Sequence, residues 1–406
     1  MGSADSLVRV AERMILVEGQ VVSSARLLSV QKHLRNAGLD ALVCRLPENV
    51  LCLTGYAPLN GVSFLLVPAS DAPLLIAPQV DDEILPRGEI KTIVYPWGRV
   101  DDPSPLTSIR RILGACTRIK TLAWEEGFEA VAPTHVAGEV LVPARQTRLM
   151  LHETFPDATM VDGTGLLEEE RAIKTTEEVA CMKRSCSIAE FGVVAFEEAV
   201  RPGVTEAEVL ASVEAAIIRH GLCFDGAYSV RAFAQLLSGQ WTSRAWSPAY
   251  ISGQRSIVQG DIVLLELATV VNGYWSDLTR VCVAGRPDAY LCEIRHAVDE
   301  AVDAACRTAK PGVPAFSVDA AAREVLRNAG LDGFFPHHTG HGVGFRYHEP
   351  VPFLHPRSDH ILVEGMTCTI EPGVYVEGWG GVRIEENIVV TATGGHLLSI
   401  PARGGR

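Results

Sequence analysis

Two acids, Glu266 and Asp277, stand in a stretch that otherwise reads as core, Gly260 to Arg280, GDIVLLELATVVNGYWSDLTR. Ile262 to Leu267 reads as a buried strand, Asn272-Gly273 as a two-residue hairpin turn, and Tyr274 to Val283 as the return strand. With those turn residues Glu266 falls opposite Thr279 and diagonal to Asp277, so both carboxylates share one face of the sheet. Like charges on an apolar face repel, and a cation between them is the usual remedy. Four histidines follow within twelve positions, His337, His338, His341 and His348, interleaved with glycines. Glu371 closes an apolar strand before a Pro-Gly turn, and Glu385 lies inside another strand, on the face opposite Ile384. Glu266, Asp277, His341, Glu371 and Glu385 together make four carboxylates and one imidazole. That donor set suits a hard or borderline dication such as Mn, Co, Fe or Zn, and bridging carboxylates would hold two ions. The plainer reading, four separately salt-bridged acids, needs as many buried cations, and Arg280 and Arg383 are the obvious local ones.

These residues need elements that hold them. Thr175-x-x-Glu178 and Thr205-x-x-Glu208 are capping boxes that open helices. The unit Arg201-Pro202-Gly203-Val204 with its helix ending at Gly221 recurs as Lys310-Pro311-Gly312-Val313 with a helix ending at Gly330, offset by 109 residues at both ends. An equal offset at both ends predicts a duplicated α+β unit, with the site between its halves. Before it, a helix over Ala25 to Ala37 and strands at Ala41 to Cys44, Ser63 to Val67, Leu74 to Ala77 and Thr92 to Tyr95 alternate with helical stretches around 106 to 116 and 136 to 150. That alternation predicts an α/β layer. Residues 163 to 175 form the boundary, giving domains 24–165 and 166–406.

The 406 residues are 47% hydrophobic and carry a net charge of -13, which argues against a nucleic-acid or anionic-membrane partner. Ten cysteines are scattered without a C-x-x-C pair and read as small buried hydrophobes in a reducing compartment. No signal peptide or membrane-spanning run is evident, so the expected location is the cytoplasm. Met1-Gly2-Ser3-Ala4-Asp5-Ser6 fits the loose myristoylation pattern, and equally an ordinary start of small residues.

The motifs in combination, G-D-x-V, T-G-H-G-x-G, H-E-x-P, E-P-G-x-Y and G-G-V-R-I-E, resemble the pita-bread metallopeptidase family that contains prolidase, aminopeptidase P, methionine aminopeptidase and creatinase. The resemblance covers nearly the whole chain, including a creatinase-like N-terminal domain from Arg26 to about Asp162. It implies an α+β fold with a pita-bread C-terminal domain, a homodimer, and metal ligands at Glu266, Asp277, His341, Glu371 and Glu385. It places His337 and His348 where the family has histidines that contact substrate and steady the tetrahedral intermediate. The chain departs from the pattern twice. Glu266 stands where the family uses Asp, and no His occurs between His220 and His296, where relatives carry one on the loop before the hairpin. That loop instead mixes Phe233, Trp241, Trp246 and Tyr250 with Arg231, Arg244 and Arg255, which would either line a pocket for a planar or anionic molecule or pack against another part of the protein. Trp246, Arg244, Tyr250 and Arg383 are the expected substrate contacts.

Three functions follow. The first is a metal-dependent hydrolase of an amide or related carbon-nitrogen bond in a small molecule or dipeptide, of the Xaa-Pro type but with altered specificity, in which Glu371 shuttles the proton and His348 and His337 stabilise the oxyanion. The second is a same-fold lyase or creatinase-like hydrolase. The third is a non-catalytic binding protein, against which the five filled ligand positions argue.

Overall fold

The computed structural model describes residues 24–86, 88, 90–116, 119–126, 145–247 and 252–400. These form two compact units that divide after Arg171. In the first, the helix Ser24–Ala37 precedes a six-stranded mixed sheet. Its strands in chain order are Ala41–Cys44, Phe64–Pro68, Leu74–Pro78, Lys91–Tyr95, Thr121–Trp124 and Thr159–Asp162, and in space the fourth lies at one edge and the sixth at the other. The first strand pairs antiparallel with the second and parallel with the fifth. Its four residues ALVC are all buried, as a strand covered on both faces requires. The expected helical stretch at 136 to 150 lies partly outside the described residues; what is described is a helix Arg145–Thr154.

The second unit has the expected duplicated α+β architecture. Helices Thr176–Ala199 and Glu206–Gly221 back a three-stranded sheet of Val230–Ser238, Ile262–Val271 and Tyr274–Val283. Helices Ala289–Thr308 and Ala315–Asn328 back a five-stranded sheet that contains Gly340–Gly342, Thr367–Ile370 and Glu386–Thr391. The duplication extends to single hydrogen bonds. Gly203 N–H donates to the Ile257 carbonyl at 2.9 Å and Gly312 N–H to that of Leu362 at 2.8 Å, while Ile257 and Leu362 return bonds to Val204 and Val313. Gly203 and Gly312 have φ of +92° and +82°, a conformation that favours glycine, so the same turn chemistry was needed twice.

Alternation decides what each sheet shows to its helices. Val263, Leu265, Leu267 and Leu278 pack on the first helix pair, and Cys368, Ile370, Ile388 and Val390 on the second. By the period of two, Glu266, Asp277, Glu371 and Glu385 then stand on the opposite faces. An isolated bridge between Thr279 and Glu385 joins the two halves. Among the described residues no helix is long and apolar enough to cross a membrane. All ten cysteines are free; Cys223 and Cys292 are exposed rather than buried as expected, because each falls at a helix end or on its outer face.

Candidate metal centre

The hairpin forms with the anticipated register. Glu266 pairs with Thr279 and Ala268 with Asp277; the first strand runs longer than expected, to Val271, and the return strand has the expected bounds, Tyr274–Val283. Asn272 and Gly273 have φ of 52° and 88°, as a primed turn requires. Asn272 is tied down as well, since its Oδ1 accepts from the N–H groups of Tyr228 and Ser229 at 3.0 and 3.1 Å.

The other ligating groups arrive from the second half. His341 is the middle residue of a three-residue strand flanked by two others. Gly340 and Gly342 on either side allow the close strand approach: a Cβ on Gly340 would meet the Thr369 carbonyl, and one on Gly342 the Val351 carbonyl. Glu371 follows its strand directly, with its N–H on the Thr339 carbonyl at 2.7 Å. Glu385 is fully buried and bonded to Thr279 Oγ1 at 2.7 Å through Oε2.

Side-chain donor atoms come together in three overlapping groups: Asp277, His341 and His348; His341, Glu371 and Glu385; and Glu266, Asp277 and Glu385, each within 4.8 Å. All five expected ligands are thus brought to one place, with His348 beside them. The imidazole is oriented for ligation. His341 Nδ1 lies 2.9 Å from the Gly342 carbonyl, which can only accept, so Nδ1 carries the proton and Nε2 presents its lone pair. That Nε2 is 3.4 Å from Asp277 Oδ2 and 3.7 Å from Glu371 Oε1. Glu385 Oε1, buried, has no hydrogen-bond partner. A lone pair aimed at carboxylate oxygens and an unpartnered buried carboxylate oxygen fit a cation at this point. Burial first, and then the charges of Glu385 and Asp277, hold the Glu371 carboxyl well above the usual carboxylate range.

The remaining expected residues are distributed differently. His337 faces Tyr375: its Nδ1 donates to the His338 carbonyl at 2.8 Å, and its Nε2 accepts from the Tyr375 hydroxyl at 2.9 Å. Burial pushes His337 down to about 4, so it is neutral. His338 Nδ1, its neighbour, is the one 3.6 Å from Glu371 Oε1. Arg383, expected to touch substrate, is itself buried and forms an ion pair with the partly buried Glu266, donates to Thr279 Oγ1 at 2.8 Å and to the Ala245 carbonyl at 3.1 Å. With its donors committed in this way, it acts on the protein's own carboxylate. Arg244 pairs with Glu377 at 2.5 Å, both of them exposed, and Arg255 with Asp261, so neither joins the cluster. Trp246 is half-exposed and follows Ala245, whose carbonyl Arg383 holds. Tyr250 lies outside the described residues.

Three contributors escaped the sequence reading. Tyr347 donates to Glu266 Oε1 at 2.8 Å. Tyr375 links His337 to Arg383, 3.4 Å away. Asn387 accepts from the Asp277 N–H at 3.1 Å and donates to the Asp277 carbonyl, tying the two halves behind the site. Glu385 was expected inside a strand but forms an isolated bridge with Thr279 just ahead of the strand Glu386–Thr391; Asn387, two positions further along the same extended segment, was the detectable one.

Comparison with known proteins agrees with this geometry. Residues 180–392 match metallopeptidase family M24, and residues 26–173 match the creatinase/prolidase N-terminal domain. The chain is 29% identical over 378 residues to an Xaa-Pro dipeptidase of Pyrococcus furiosus, covering 92% of this chain and 97% of that one. It is 31% identical over 379 residues to a probable dipeptidase PepE of Mycobacterium tuberculosis, covering 92% and 93%. The solved structure of the prolidase from Pyrococcus horikoshii superposes with a TM-score of 0.74 at 26% identity, covering 93% of this chain and 99% of that one. A metal-ready cluster between two duplicated halves, a creatinase-type domain ahead of it and relatives aligned along nearly the whole length place this chain in metallopeptidase family M24, as a metallohydrolase.

Proposed function

We propose that this protein hydrolyses the amide bond of small peptides, with Xaa-Pro dipeptides as the first substrates to try and a specificity altered from that of its relatives. The observation that carries this reading is the His341 Nε2 lone pair set among Asp277, Glu371 and the unpartnered Glu385 oxygen. Glu266, Asp277, His341, Glu371 and Glu385 are the residues that would hold divalent metal, two ions per chain of Mn, Co, Fe or Zn. When bound, such an ion polarises a carbonyl and makes water a stronger acid. Glu371 takes the proton of the attacking water and delivers it to the leaving nitrogen, so an amide and a water become a carboxylate and an amine. His348 lies beside His341, with ring centroids 4.3 Å apart, and donates to the developing oxyanion. His337, neutral and joined to Tyr375, supports the substrate side of the same site. Altered specificity rests on the two departures: Glu266 in place of Asp, bound by Arg383 and Tyr347, and an aromatic loop in place of a histidine. The reading includes a cytoplasmic homodimer and a catalytic domain over 166–406, preceded by the domain 24–165.

Elemental analysis of protein purified without chelator tests it, on the wild type and on Glu371→Ala, beside a dipeptide screen. About two ions per chain in the wild type, lost together with cleavage in the variant, is the expected result. Substoichiometric metal indifferent to the substitution would overturn it.

A further inference from the structure

Helix Ala315–Asn328 meets the histidine segment with polar side chains. Asp319 and Arg323 stand one turn apart on it and form an ion pair, Arg323 Nε lying 2.7 Å from Asp319 Oδ2. Asp319 is 1% exposed, on a face whose other buried residues are Ala315, Val318, Ala322 and Leu326. A carboxylate so placed needs partners on both oxygens, and its Oδ1 accepts from the Thr339 hydroxyl at 2.8 Å. Arg323 also donates to the Phe335 carbonyl at 3.0 Å and to the His337 carbonyl, with its guanidinium 4.3 Å from the centre of the Phe335 ring. From there the bonds run on to the cluster. The Thr339 carbonyl accepts from the Glu371 N–H at 2.7 Å, His337 meets Tyr375, and His341 follows Thr339 by two residues. The other half of the duplication serves as a control. At the offset of 109 residues, Asp319 corresponds to Leu210 and Arg323 to Glu214. Leu210 packs on the apolar core, and Glu214 accepts from the Ala234 N–H at 3.0 Å, in a strand that carries no histidine. The ion pair therefore stands only in the half whose helix precedes the histidines.

We propose that Asp319 and Arg323 are positioning residues, which act through Thr339 and the His337 carbonyl to hold the histidine segment and Glu371 in register with each other. This rests on the proposed metal-dependent peptidase activity. Neither side chain belongs to the cluster itself. Asp319 fixes the rotamer of Thr339, whose carbonyl sets the backbone of Glu371, and Arg323 fixes the backbone of His337 two residues earlier. Two histidines and the proton-carrying carboxylate are thus referred to one rigid helix, although they lie on separate short segments. Outer partners of this kind, when removed, cost about 10-fold to 100-fold in metal affinity or activity.

The experiment compares the wild type with Asp319→Asn, Thr339→Val and Thr339→Ser. Thr339→Val removes the hydroxyl and leaves the ion pair intact, so it reports on positioning even where Asp319→Asn folds poorly; Thr339→Ser restores a hydroxyl. Each metal-free protein is titrated with Co2+ and followed by the visible absorption of the bound ion, which reports the arrangement of its ligands, and kcat and KM are measured separately on Ala-Pro. Thr339→Val and Asp319→Asn are expected to bind Co2+ about 10-fold more weakly or worse, with an altered spectrum, and to lose kcat with KM nearly unchanged. Thr339→Ser should return all three toward the wild type. Unchanged Co2+ affinity, spectrum and kcat in Thr339→Val, or equal losses in Thr339→Val and Thr339→Ser, overturn the positioning role and leave the peptidase reading standing. Failure of the wild type both to bind Co2+ and to cleave a dipeptide overturns that reading and the positioning role with it.

Discussion

Arg383 shows how one residue's partner changes the meaning of another. Its guanidinium is almost fully buried, and burial first of all holds its pKa below the usual value, although Glu385 acts in the opposite sense. In return it balances Glu266, which also receives the Tyr347 hydroxyl. Removing one member of such a pair leaves a charge without compensation, which in buried settings costs about 3 kcal/mol or more. Arg383→Met should therefore lower the urea-unfolding stability of the metal-free protein by about 3 kcal/mol, and by less when Mn is present at saturation, because a bound cation also neutralises Glu266. An equal loss with and without Mn would show that Glu266 takes no part in holding metal.

At the scale of elements, both helix pairs are anchored by turns and caps that lie away from the site. Thr175 Oγ1 accepts from the Glu178 N–H at 3.3 Å and Glu178 Oε2 accepts from the Thr175 N–H at 2.8 Å, a reciprocal box at the start of the long helix. This helix packs Ile188, Val193 and Phe196 on the back of the hairpin whose front carries Glu266 and Asp277. Thr175→Ala should reduce stability by about 1 kcal/mol with activity and metal content unchanged, since it loosens the helix start and leaves the hairpin register alone. Denaturant melts and elemental analysis on the same preparation check both halves of that statement. The hairpin is the better-determined element. Asn272-Gly273, the apolar run from Ile262 to Leu267, and the pairing of Glu266 with Thr279 were all readable, because turn chemistry and the register it sets are local properties. The strand Gly340–Gly342 was not readable as a strand, since it is three residues long and defined by neighbours on both sides.

For the molecule as a whole, the two units differ in what metal can do to them. The candidate ligands all belong to the second unit, and a ligand that binds only the folded state stabilises what it binds, by about 2.7 kcal/mol at 100 times its Kd. Calorimetry with and without Mn should accordingly show an unfolding transition of the second unit that rises with metal and falls with chelator, and one of the first unit that does not move. A shift of both transitions by the same amount would mean that the units unfold together.

The duplicated architecture, the hairpin and the five residues of the cluster were legible from the chain, because each depends on short-range signals: caps, turn residues, alternation and a preserved spacing of 109 residues. Which polar group faces which was decided only in three dimensions. Arg383 and Glu266 are far apart in sequence, as are Tyr347 and Glu266, or Asn387 and Asp277, and nothing local couples them. His337 and His338 are adjacent and alike in type, yet one turns to Tyr375 and the other to Glu371. Side-chain partners across a duplicated fold are chosen by the packing that leaves the fewest buried charges and lone pairs uncompensated, and that condition belongs to the folded whole.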